Sequence, residues 1–182
     1  INVAAHAVQS TWSYFTMEKF AWTERMVGYS LGFIGILLTI IQAGLLRIII
    51  PRIGVAGSIM GGIVLYCISL PLFGLANASW MLFAISVIYV FGGISGPALQ
   101  SAVSNEVPDN EQGQIQGGLA CIISLTAIIG PPVMTSLFSH YTKKNAAIYL
   151  PEAPFYLATV LVLIAAIIAL IYFQKKPAKV AG

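Results

Sequence analysis

The sequence predicts an all-α membrane protein: six transmembrane helices joined by short water-facing turns. Three observations carry that reading. Of all residues, 58% are hydrophobic and only 8% are charged, with a mean hydropathy of +0.89, which leaves too little polar surface for a water-soluble domain. The nine basic and six acidic residues fall into five clusters, at 18–25, 47–52, 106–111, 143–152 and 175–179. A charged side chain costs about 3 kcal/mol at the centre of a bilayer, so these clusters mark turns at the membrane surface. The stretches between them are long enough to cross a hydrocarbon core of about 30 Å, which takes about 20 helical residues.

The spans can be taken in order. Residues 1–17 form a first, slightly short span, and residues 26–46 a second. The charge-free run 53–105 is too long for one helix, and Gly74, Asn77 and Ser79 divide it into spans 54–74 and 80–103. Residues 113–138 and 153–173 supply the last two. The sequence opens at Ile1 inside an apolar stretch, without Met and without the basic leader and cleavage site of a secretory signal. The expectation is therefore a cut, with a preceding part of the protein missing.

Six spans in hairpin order put both chain ends on one side of the membrane. That side carries Arg47, Arg52, Lys175, Lys176 and Lys179, against Lys19, Arg25, Lys143 and Lys144 on the other, five cations against four. Together with the basic run directly after the last span, the positive-inside rule places the C-terminus in the cytoplasm.

Within the spans, three residue types point toward function. Glycines recur four apart at Gly28/Gly32, Gly57/Gly61, Gly92/Gly96 and Gly113/Gly117, a spacing that lets helix backbones approach closely or slide past each other. Prolines at Pro71, Pro97 and Pro131-Pro132 each remove a backbone hydrogen bond. Pro97 and Pro131, each preceded by glycine, mark the expected helix bends, read either as static curvature or as hinges. On the first span His6, Gln9, Ser10 and Ser13 share one helical face, flanked by Trp12 and Tyr14. A polar face is costly against lipid, so it is expected to look into the protein. His6, Gln9, Ser13, Gln42, Tyr66 and Tyr89 are the candidate lining of a cavity, with Ser69 and Ser86 nearby in the third and fourth spans. Such a lining is aromatic, hydrogen-bonding and nearly uncharged, which suits an amphipathic organic molecule. Histidine is the side chain suited to carrying a proton at physiological pH, and His6 is the proton-relay candidate, the competing reading being a neutral imidazole that makes one helix-to-helix hydrogen bond.

Several classes are excluded. The chain has no HExxH, Walker or GxSxG motif, and Gly92-Gly93-Ile94-Ser95-Gly96 falls inside a span, so no enzyme activity is expected. Cys67 and Cys121 read as small packing residues, and neither a metal nor a cofactor is implied. The expected partners are a small-molecule substrate, protons and the lipid bilayer, with no nucleic acid.

Two stretches resemble the tetracycline-efflux branch of the drug:proton antiporters in the major facilitator superfamily. One runs Trp12-Ser13-Tyr14-Phe15-Thr16-Met17-Glu18-Lys19-Phe20-Ala21-Trp22, followed by Met26-Val27-Gly28-Tyr29-Ser30-Leu31 and Gln42-Ala43. The other runs Gly92-Gly93-Ile94-Ser95-Gly96-Pro97-Ala98-Leu99-Gln100, then Gln112-Gly113-Gln114-Ile115-Gln116-Gly117 and Ile129-Gly130-Pro131. The resemblance covers nearly the whole chain and is to the second half of such transporters. It implies that residues 1–182 are the C-terminal six-helix bundle of a twelve-helix transporter, with the N-terminal half as the missing partner. Such proteins bind substrate between their halves and expose it to each side in turn.

The resemblance also implies a proton-coupled exporter of drug-like compounds in a bacterial inner membrane. Arg47 and Arg52, with Pro51, Ile53 and Gly54, look like the short basic cytoplasmic loop after the second helix of each half. Gln42 falls where the tetracycline pumps carry a polar cavity residue, and His6 lies in a helix that contributes to their substrate site. Some of those pumps carry a His near Leu38 and an Asp near Tyr66, where this chain is apolar and aromatic. Tetracycline itself is thus not carried over, and coupling is expected in the missing half. The alternatives are a transporter of another small solute and a non-transporting membrane subunit or scaffold.

Overall fold

A computed structural model describes residues 1–108, 110–146 and 148–175, and among these there are helices and turns but no strand. Helix α1, Asn2–Phe20, ends where Ala21 adopts a left-handed conformation (φ 53°), with the Trp22 N–H bonded back to the Thr16 carbonyl at 3.3 Å. Helix α2, Glu24–Ile40, begins at Thr23, whose hydroxyl accepts the Met26 N–H at 3.4 Å. That cap and the acidic Glu24 both suit the positive end of the helix dipole. A π-helical turn at Ile41–Leu45 follows, then α3, Leu46–Leu75, with a sharp kink at Gly54. The fourth span consists of α4, Ser79–Gly92, and α5, Ser95–Ser104. Helices α6, Gln112–Thr142, and α7, Ala153–Lys175, complete the bundle.

Five helical stretches are long and apolar enough to cross a membrane: 24–44, 46–75, 79–104, 112–142 and 153–174. Helix α1 is not among these five, because the polar residues of its stripe dilute it. It nevertheless packs along α6 and α7, burying Ala4, Ala7, Val8, Thr11, Trp12, Phe15 and Thr16. Three of its hydroxyls are satisfied within the helix: Ser10 bonds the His6 carbonyl, Thr11 the Ala7 carbonyl, and Thr16 the Trp12 carbonyl at 2.9 Å. Back-bonding of this kind lets a polar sequence enter an apolar bundle.

Helix α3 lies against α7, α4 and α5, whereas α2 makes only light contact with α4 and α1. The core is a run of aromatic rings across helices. Trp12 meets Phe73 edge-on at 5.3 Å, Phe73 meets Tyr89 at 5.7 Å, and Phe15 meets Phe155 at 4.7 Å. Trp12 also donates to Ser30 at 2.9 Å, holding α2 to α1.

Three sequence-based expectations are corrected. The segment expected as a basic loop at 47–54 is helical, with Arg47 and Arg52 exposed on it. The change of direction is concentrated in Gly54, at φ 74° and ψ 166°. Glycine tolerates this conformation and other residues do not. The fourth span is broken rather than bent: Gly93 and Ile94 bond back three residues at 3.1 and 3.2 Å. Pro97 follows, without the N–H that would have bonded Gly93. The glycine pairs are mostly open, since a Cβ at Gly28, Gly32, Gly61, Gly96, Gly113 or Gly117 would meet nothing within 4 Å. The close approaches belong to other glycines. A Cβ at Gly62 would lie 2.7 Å from the Gly92 carbonyl oxygen and 2.8 Å from the Ser95 nitrogen, so α3 rests in the elbow between α4 and α5. At Gly74 it would lie 2.9 Å from the Tyr156 ring.

One end of the bundle gathers the turns 21–23 and 76–78 and the loop residues 143–146 and 148–152. Trp22 donates to Ser79 at 2.8 Å. Lys19 forms an ion pair with Glu152 and donates to the Gly74 carbonyl at 2.7 Å, with the Phe15 and Phe20 rings 5.6 and 5.8 Å from its Nζ. These side chains are only 18% and 12% exposed, so Lys19 joins α1, α3 and the start of α7 in a largely desolvated knot.

Two expected outcomes follow from this packing. Gly62→Ala drives a methyl into backbone atoms and is expected to cost about 1–3 kcal/mol, whereas Gly61→Ala enters open space and gains up to about 1 kcal/mol of helix propensity; thermal unfolding in detergent separates them. Lys19→Met strands the Glu152 carboxylate and is expected to cost about 2 kcal/mol. Lys19→Met combined with Glu152→Leu should cost less than Lys19→Met alone, by the same measurement.

Candidate functional site

The six candidate lining residues fall into three places. Tyr66 on α3 and Tyr89 on α4 come together, with ring centroids 5.1 Å apart and planes at 51°. Both are buried. Gly92 makes room for this pair, since a Cβ there would lie 2.7 Å from Tyr66 Cδ1. The two rings border a narrow crevice that also involves Ile1, Ala4, Ala5, Leu70 and Val162. Nearby, Ser86 bonds the Leu82 carbonyl at 2.7 Å, while the Ser69 hydroxyl is buried with no hydrogen-bond partner among the described residues.

The α1 stripe is separate from that pair. His6 and Ser13 are half-buried, whereas Gln9 is exposed, so the stripe lies partly on the outside of this bundle rather than wholly within it. The His6 ring rests on Gly130 of α6, directly before Pro131. Helix α6 runs through Pro131 and Pro132 without interruption. Gln42 lies in the π-helical turn and is exposed. The chain thus brings Tyr66 and Tyr89 together, sets His6, Gln9 and Ser13 along the neighbouring α1 face, and leaves Gln42 apart. Among the described residues no group of three or more His, Cys, Asp or Glu comes together as a metal site would require.

Two features of the arrangement escape a reading of the sequence. The Tyr66–Tyr89 contact needs Gly92, which carries no signal different from the open glycines around it. The Lys19–Glu152 pair was visible only as two charges in separate clusters. Beside that pair, the Tyr149 hydroxyl donates to the Glu18 carboxylate at 2.6 Å.

With the geometry described, comparison with known proteins identifies the chain. Residues 3–182 match the Major Facilitator Superfamily. The chain belongs to that superfamily. It is 37% identical over 128 residues to the class C tetracycline resistance protein of Escherichia coli, covering 70% of this chain and 32% of that protein. It is 31% identical over 139 residues to the class G protein of Vibrio anguillarum, covering 76% and 35%. A more distant similarity, 22% over 172 residues, is to human hippocampus abundant transcript-like protein 1, covering 83% and 34%. The chain spans about a third of the length of the relatives it matches. Its all-helical bundle is one half of a Major Facilitator Superfamily transporter.

The loop contact gives an alkaline pH dependence. The hydrogen bond to Glu18 is the main cause, with burial and the Glu18 and Glu152 charges adding to it, and the Tyr149 phenol is pushed up to about 12. The neutral phenol is therefore favoured by the fold. Its contribution is complete below the ordinary tyrosine value of about 10 and is lost as pH rises through the folded value. In a difference spectrum of the protein minus Tyr149→Phe, the phenolate band at 295 nm is expected to appear with a midpoint near 12 rather than 10.

Proposed function

We propose that the complete protein is a secondary active transporter that exports a drug-like amphipathic compound in exchange for protons. The observation that carries this is similarity to a group of tetracycline resistance proteins, 28–37% identical to the chain, on top of membership in a transporter superfamily. Transport would proceed by alternating access to a cavity between this bundle and a second six-helix half. Specific binding and a conformational change suffice for that, without catalytic chemistry.

The residues support this reading in their own terms. His6, Gln9 and Ser13 lie along a partly exposed face of α1, which would be costly against lipid and would be covered by the other half. With the exposed Gln42 they offer hydrogen bonds without fixed charge, suited to an amphipathic substrate, whereas Tyr66 and Tyr89 are buried within this bundle. Among the described residues the acids Glu18, Glu24, Glu106, Glu111 and Glu152 lie at helix ends or in loops, so His6 is the group this half offers for handling a proton, and further coupling groups would be in the other half. The interruption before Pro97 and the continuous helix through Pro131 are where α5 and α6 would move relative to their neighbours.

The location belongs to the same proposal: a bacterial inner membrane with a cytoplasmic C-terminus. Arg47 and Arg52, near the Gly54 kink, supply cations for that side. The expected basic tail at Lys176 and Lys179 lies outside the described residues.

Everted membrane vesicles containing the complete protein test the proposal, with tetracycline and ethidium as probes. Uptake is expected when an inside-acid gradient is imposed, with release when nigericin collapses it. Flux indifferent to the gradient would remove proton coupling, and absence of flux for both probes would favour another small solute. His6→Ala is expected to lower gradient-driven flux by at least about tenfold; unchanged flux would leave His6 a purely structural residue.

A further inference from the structure

We infer that Gly130 of α6 is a positioning residue for His6: its missing side chain is the slot that holds the imidazole at the seam between α1 and α6. The inference rests on the reading of His6 as a working group of the exporter. Helix α6 is mostly exposed, and its buried residues are Gly130 and Met134, one turn apart. They mark the strip along which α6 meets α1, the helix it packs against most extensively. The other glycines of α6, Gly113, Gly117 and Gly118, meet nothing within 4 Å. Gly130 differs from them by facing His6.

The contact involves the root of the histidine side chain. A Cβ at Gly130 would lie 3.0 Å from His6 Cβ and 2.8 Å from Cγ, and nearer still to Cδ2. Turning the ring about its own bond cannot relieve contacts at Cβ and Cγ, so a side chain at 130 must move the whole imidazole or push the helices apart. The Cδ2 edge faces the glycine, which places the adjoining Nε2 at the rim of the slot and Nδ1 on the far side of the ring. Among the described residues neither nitrogen has a hydrogen-bond partner, and His6 is only half-buried. The glycine thus grips the apolar edge of the ring and leaves its nitrogens free for a proton or a substrate group.

A competing account places the need for glycine in the backbone. A residue before proline is hindered in a helix by its own Cβ, and Gly130 precedes Pro131. Pro131, however, precedes Pro132, has a Cβ and is helical, so α6 tolerates that hindrance once within the same motif.

The test pairs Gly130→Ala with His6→Ala in the complete protein, labelled with 13C-histidine and held in nanodiscs. The His6 ring cross-peak is assigned by its loss in His6→Ala. Gly130→Ala is expected to displace it while the His140 cross-peak stays in place, and an unmoved His6 peak would overturn the inference whatever the transport result. In everted vesicles, gradient-driven tetracycline uptake is expected to fall about tenfold in Gly130→Ala. In the His6→Ala background the same substitution should have no further effect. An equal loss with and without His6 assigns the glycine to the backbone and overturns the inference. If Gly130→Ala does not fold, the double variant should fold, since the contacts at Cγ and Cδ2 are then gone and the remaining 3.0 Å approach to the Cβ at position 6 needs only a small shift; a double variant that also fails to fold is a refutation. If the wild type moves no tetracycline, the exporter reading fails for that probe and the cross-peak alone decides whether Gly130 holds His6.

Discussion

A bilayer core gives two apolar helices almost no hydrophobic reward for touching, so everything in this bundle depends on contacts close enough for dispersion and local dipoles to act. The structure meets that constraint at a few places. Gly62 lets α3 sink into the elbow at Gly92–Ser95, and Gly74 admits the Tyr156 ring of α7. Gly92 admits Tyr66, and Gly130 admits His6. Between these points the aromatic rings of Trp12, Phe15, Phe73, Tyr89 and Phe155 fill the interior at edge-on distances. The remaining surfaces of α2, α6 and α7 are mostly open.

The same constraint explains where the helices are irregular. Unpaired backbone groups are costly in hydrocarbon, so breaks are tolerated only where protein or water satisfies them. The interruption at Gly93 and Ile94 keeps its amides occupied by bonding back three residues, and Ser95 donates its hydroxyl to the Gly92 carbonyl at 2.9 Å. The kink at Gly54 occurs at the surface end of α3, where Arg52 and Ile53 are exposed. Polar side chains follow the same rule: Ser10, Thr11 and Thr16 of α1 return their hydroxyls to the helix, and Trp12 finds Ser30.

The charges complete the division of labour. Among the described residues none lies mid-span, and the largely desolvated pair Lys19–Glu152 is placed at the rim, where it ties the ends of α1, α3 and α7. That end of the bundle is therefore cross-linked by specific polar contacts, while α2 is held lightly. In this bundle α1 packs firmly on α6 and α7, and α3 on α4, α5 and α7, beside helix surfaces with open glycines. Those surfaces are free for contacts outside this chain, while the buried tyrosine pair is occupied within it.

The membrane class was legible because confinement of charge to clusters is a one-dimensional property, set by the cost of moving an ion into hydrocarbon. The superfamily was legible in the local motifs around Trp12–Trp22 and Gly92–Gln100 for the same reason, as each lies within one hairpin or span. The glycine contacts were not. Gly61 and Gly62 are adjacent and chemically identical, yet one is open and the other lies against backbone. Which face of a helix meets a partner depends on how distant segments pack, and in a chain apolar on all sides the sequence period no longer marks that face. The same holds for His6: its helical stripe was visible in sequence, but that its ring rests on Gly130 was decided only by the docking of α6. Sequence alone thus determined that the chain is a helical membrane protein and which superfamily it belongs to. Tertiary structure alone decided which glycines carry the packing, that Tyr66 meets Tyr89 while His6 faces α6, and that Lys19 finds Glu152, because each depends on a close approach between residues far apart in the chain.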